Sequence, residues 1–93
     1  MKSAHGTLTA ATVTTQSLVV DFDGSVNVHL RSGTNPIYFT INGSTPTVGG
    51  ANTYIVHPNL PVRSVKYAGT SVGNTAVVKL ISAGAAAYSV EVE

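Results

Sequence analysis

Three histidines, His5, His29 and His57, are the first residues able to hold a metal or act as a general base. A zinc site needs three or four ligands, usually at short recurring spacings and often including Cys or a carboxylate. Here the histidines are far apart in the chain, cysteine is absent, and no local metal spacing connects them. They read as polar-face and loop residues, and no metal or cofactor is expected. Asp21-Phe22-Asp23-Gly24 has the outline of a calcium loop. Such a loop needs a bidentate Glu about six residues after its glycine. The stretch Ser25-Val26-Asn27-Val28-His29-Leu30 supplies no acid, so a turn is the better reading.

A hydrolytic carboxylate pair would have to come from Asp21, Asp23, Glu91 and Glu93, the only acids present. Two share a strand end, two lie at the C-terminus, and nothing marks a cleft between them. Serines are plentiful, but none sits in a G-x-S-x-G elbow. Gly49-Gly50 is followed by neither Gly-Lys-Ser/Thr nor a helix start, so it is no phosphate loop. The residues give no basis for an enzyme.

One constellation favours a ligand or an interface. Tyr38 and Tyr54 flank a polar loop containing Asn42, Gly43, Ser44, Gly49, Gly50 and Asn52. Aromatic rings beside a polar loop are how many lectin-like sites are built. The competing reading is structural: half-buried tyrosines suit strands, and Asn-Gly is a strong turn dipeptide. Asn42-Gly43-Ser44 also matches a glycosylation acceptor, although turn chemistry accounts for it.

The elements that position these residues are strands. Val and Thr favour extended backbone, helix formers are few, and no segment repeats apolar residues at helical spacing. Strands are expected near Thr7–Thr14, Ser17–Phe22, Ser25–Arg31, Ile37–Ile41, Thr53–Val56, Val62–Tyr67, Thr75–Ser82 and Ala87–Glu93. Val26, Val28 and Leu30 alternate with Asn27, His29 and Arg31, which marks one buried face. Ile37, Phe39 and Ile41 do the same, so Val26 to Ile41 is expected to be a hairpin turning at Ser32–Pro36. Asp23-Gly24 is expected to close another tight turn, and the last two strands to pair with each other. Seven or eight short strands separated by turns predict an all-β, small antiparallel sandwich or barrel.

At 93 residues the chain fits one domain, 1–93, with 1–6 a possible flexible arm. Size scaling gives roughly 5,000 Å² of folded surface, against about 14,000 Å² for the unfolded chain. Charged residues are only 10% of the chain and the net charge is +1. Ser, Thr, Asn and Gly must then cover most of the surface, and such surfaces tend to associate. Lys2, Arg31, Arg63, Lys66 and Lys79 are scattered, which argues against nucleic-acid binding. Met1-Lys2-Ser3 leads into no apolar run, so no secretion signal is expected, and no stretch has the roughly 20 apolar residues of a membrane helix.

Two stretches carry a family resemblance. They are Ile37-Tyr38-Phe39-Thr40-Ile41-Asn42-Gly43-Ser44-Thr45-Pro46-Thr47-Val48-Gly49-Gly50 with Thr53-Tyr54-Ile55-Val56, and Val77-Val78-Lys79-Leu80-Ile81-Ser82-Ala83-Gly84 with Tyr88-Ser89-Val90-Glu91. Together they resemble small β-rich virion structural proteins of tailed bacteriophages, notably those of actinobacteria. The resemblance implies a capsid decoration protein that binds the major capsid protein in many copies on the phage head, after assembly in the host cytoplasm. Tail or head-fibre subunits come next. It transfers no catalytic residue. A rival from another class is a carbohydrate-binding sandwich used in host attachment, with Tyr38 or Tyr54 on an exposed platform.

Overall fold

The computed structural model describes residues 2–20, 24–50, 53–67 and 74–92. Eight strands are present: β1 (Lys2–Leu8), β2 (Thr14–Val20), β3 (Ser25–Ser32), β4 (Ile37–Thr40), β5 (Tyr54–Val56), β6 (Val62–Lys66), β7 (Asn74–Ser82) and β8 (Ala86–Val92). They form two antiparallel four-stranded sheets, β1-β8-β3-β6 and β2-β7-β4-β5. The sheets face each other with their edges open, so the fold is a sandwich rather than a closed barrel.

The strand order follows from one long ribbon. β1 pairs with β8, β2 with β7, β3 with β6 and β4 with β5, so each strand of the first half meets its counterpart from the second. The ribbon turns at the 41–53 loop and rolls up, bringing β3 beside β8 and β4 beside β7. This is jelly-roll order. Among the described strands, only β4 and β5 are both consecutive in sequence and paired.

The expected hairpins are therefore corrected. β3 and β4 exist where the alternation placed them, but they lie in different sheets, as do β7 and β8. A turn signal shows that the chain reverses. It does not show whether the chain returns within its sheet or crosses to the other one. β2 and β3 likewise lie in different sheets, and the turn expected at Asp23-Gly24 involves residues outside those described. Asp21 and Asp23 themselves, with the calcium-loop reading, fall outside the described residues.

The N-terminal expectations also change. Lys2–Gly6 is strand, not arm: it runs antiparallel to β8, from Lys2 opposite Val92 to Gly6 opposite Tyr88. The Thr-rich stretch placed as a first strand instead contains the corner 9–13. There Ala11 takes a positive φ of 55° and its N–H donates to the Ser82 carbonyl at 2.8 Å. A run of β-branched residues hid this corner, because strand propensity says little about where a strand must stop.

The core is the inward stripe of both sheets. Val26, Val28 and Leu30 of β3 and Tyr88, Val90 and Val92 of β8 face Ile37, Phe39, Val78 and Leu80 across the gap. Leu8, Val20 and Val56 complete it. Total accessible surface is 4884 Å², which agrees with the roughly 5,000 Å² that the chain's size predicts.

Each open side is tied across the layers. On the β1/β2 side the amide Nε2 of Gln16 donates to the Tyr88 hydroxyl at 2.7 Å, joining β2 to β8. On the β5/β6 side the Arg63 guanidinium lies 5.5 Å over the Tyr54 ring, which itself packs 5.4 Å from Phe39. No buried side-chain polar atom is left without a partner among the described residues.

Candidate functional site

The 41–53 loop is built by short-range backbone chemistry. The Asn42 Oδ1 accepts the Ser44 N–H at 3.1 Å, an Asx turn. Gly43 takes φ 83° and donates its N–H to the Val77 carbonyl, tying the loop to β7. Thr40 Oγ1 donates to the Ser44 carbonyl. Farther along, the Gly50 N–H returns to the Thr47 carbonyl, and Thr53 Oγ1 donates to the Gly50 carbonyl. Gly49 takes φ 74° in open space. Asn52 lies outside the described residues.

The two tyrosines do not share a surface. Tyr54 pairs with Phe39 and faces inward with it, whereas Tyr38 pairs with Ile55 and Ile81 one residue out of phase. Tyr38 therefore faces out from the second sheet. No Tyr38–Tyr54 platform forms, because the two positions have opposite parity in a paired ladder.

What the fold does assemble is a cavity of about 410 Å³ at the end of the sandwich where the 41–53 loop lies. Asn42 and Tyr54 line it, and so do Ile41, Lys66, Tyr67, Thr75 and Val77. The Tyr67 hydroxyl donates to the Thr75 carbonyl at 3.2 Å, which fixes that ring on the cavity wall. The lining thus mixes two tyrosines, an asparagine, a threonine and a lysine with Ile41 and Val77. That mixture suits a ligand with an apolar face and several hydroxyls. Lys66 at the end of β6, Tyr67 just after it and Thr75 of β7 are distant in sequence from Asn42, and no local signal marked them.

The histidines stay apart. On the outer face of the first sheet, His5 and His29 both lie opposite Ser89, one from each side, while His57 sits in the β5–β6 connection. No group of three potential metal ligands gathers among the described residues. His29 Nε2 lies 3.9 Å from Glu91 Oε1, with both side chains about a third exposed. Ser89, His29 and Glu91 thus share a face, beside a depression of about 410 Å³ lined by His5, Thr7, Arg31 and Ala87. Acyl transfer needs a nucleophile within about 2.6–3.2 Å of its base and free N–H donors for the oxyanion. On a paired sheet the backbone donors are spent on the ladder. Glu93, like Asp21 and Asp23, lies outside the described residues.

Large apolar side chains reach solvent at Val19, Val48, Leu60 and Val62. Leu60, 72% exposed, tips the tight His57–Leu60 turn, whose N–H to carbonyl bond is 3.1 Å. No family model, no curated protein and no solved structure matches this chain.

Proposed function

We propose that the chain is a non-enzymatic structural protein of a tailed-phage virion, a decoration protein that binds and stabilises the head shell. The observation that supports this best is the chemistry of the two outer faces. Ser3, Thr7, Ser25, Asn27, Ala87 and Ser89 cover most of the first sheet beside His5 and His29, and Thr15, Ser17, Thr75 and Val77 most of the second, with charge limited to Arg31, Lys66 and Glu91 on the first and Lys79 on the second. Such faces accept close neighbours with little like-charge repulsion, and many copies make weak contacts collectively strong. The resemblance of residues 37–50 with 53–56, and of 77–84 with 88–91, to small virion proteins points the same way. Jelly rolls occur in viral capsid and lectin domains alike, so the topology permits the reading without assigning it.

Purified chain mixed with heads stripped of their minor proteins should co-sediment and saturate at a fixed ratio to the major capsid protein. Binding that never saturates, or none at all, would contradict the proposal. The end cavity supports a second reading, a carbohydrate-binding module for host attachment, with Tyr67 and Asn42 as contacts. Titration with glycans, read by tyrosine fluorescence, should then give a signal that Tyr67→Ala abolishes while the fold persists.

A further inference from the structure

Four strands end the two sheets: β1 and β6 in one, β2 and β5 in the other. A terminal strand presents unpaired N–H and carbonyl groups, and proteins protect such edges with charge, proline or shortness. Three of these four edges carry such protection. β5 has only three residues. β6 carries Arg63 and Lys66 within five residues. β1 carries Lys2 and His5 and is interrupted by Gly6. β2, Thr14-Thr15-Gln16-Ser17-Leu18-Val19-Val20, has seven residues with no charge, proline or glycine.

We propose that β2 is a self-pairing edge, and that its occupant is the β2 strand of a second copy of this chain. The strand is regular along its whole length, in continuous register with β7 from Thr14–Leu80 to Val20–Asn74. Its outward side chains are Thr15, Ser17 and Val19, and Gln16 on the inner side is fixed by its bond to Tyr88. An antiparallel two-fold pair centred on Ser17 places Thr15 opposite Val19 of the other copy, and Gln16 opposite its Leu18. Thr beside Val is a favourable cross-strand neighbour pair, and no like charges meet. A two-fold pairing of β6 about Ser64 would instead set Lys66 opposite Val62 and Arg63 opposite Val65, so each cation would face an apolar side chain. The second sheet then continues through the axis as eight strands, β5-β4-β7-β2 followed by the same order reversed. Such an interface is isologous and closes at two copies. The inference stands apart from the proposed function, since a dimer forms or does not whatever larger particle the chain joins.

The test uses the full chain with Ser17→Lys and Ser17→Glu, since position 17 faces its own counterpart across the axis. Sedimentation velocity over a wide concentration range should show wild-type monomer passing to dimer. Each variant alone should weaken the dimer at least about tenfold through like-charge repulsion. An equimolar mixture of the two should restore it, which a variant that merely misfolds cannot do. Ser64→Lys, on the β6 edge, should leave dimerisation unchanged. A chain that stays monomeric at all concentrations overturns the proposal. So does a dimer that both Ser17 variants leave intact, or a mixture that fails to recover.

Discussion

Gly6 has no side chain because Tyr88 occupies the space one would need. A Cβ at that position would lie 3.0 Å from the Tyr88 hydroxyl and 3.3 Å from its ring. Tyr88 is 1% exposed and has Gln16 as its hydrogen-bond partner, so it has little freedom to move. Gly6→Ala should therefore cost about 1–3 kcal/mol by overpacking, measured by urea unfolding. A loss below about 0.5 kcal/mol would show that Tyr88 is loosely held. Gln16→Ala strands a buried hydroxyl and should cost about 1–3 kcal/mol. In a Tyr88→Phe background the same change should cost much less, because the orphaned group is gone. Equal losses in the two backgrounds would mean that the bond contributes nothing. Phe39→Ala opens the centre of the core and should cost about 3–5 kcal/mol. A loss under about 1 kcal/mol would contradict the inward register of β4.

At the scale of elements, the Ser25–Ser32 and Ala86–Val92 stripes were legible because large apolar residues alternate with polar ones. β1 was hidden because its inward positions, Ala4 and Gly6, are small and carry no hydrophobic signal until Leu8. Sheet membership was not legible at all. Pairing β1 with β8 joins residues at opposite ends of the chain, and only the completed sandwich rewards that pairing. The candidate site was half legible: Asn42 and Tyr54 line the cavity, but Tyr38 faces away and Tyr67 arrives from the segment that follows β6. Because residues 2–6 are part of a strand, deleting Met1–Gly6 should do more than remove a tail. It exposes the β8 edge, and the truncated chain should melt well below the full chain and aggregate on heating. Unchanged melting would restore the view of an arm.

The whole molecule is a ribbon whose ends meet, so nearly every strand pairing closes a long loop before any gain is realised. Folding should accordingly be slow, in the range of about milliseconds to seconds, measured by stopped-flow tyrosine fluorescence. Microsecond folding would mean that local hairpins dominate after all. The described residues present two mostly polar outer faces, an edge strand without charge, proline or glycine, and a cavity at one end of the sandwich. Gold-labelled antibody against the chain, applied to intact particles from the source culture and viewed by electron microscopy, tests the proposed decoration role most directly. Label spread evenly over the heads is the predicted result, and particles bearing no label would contradict it.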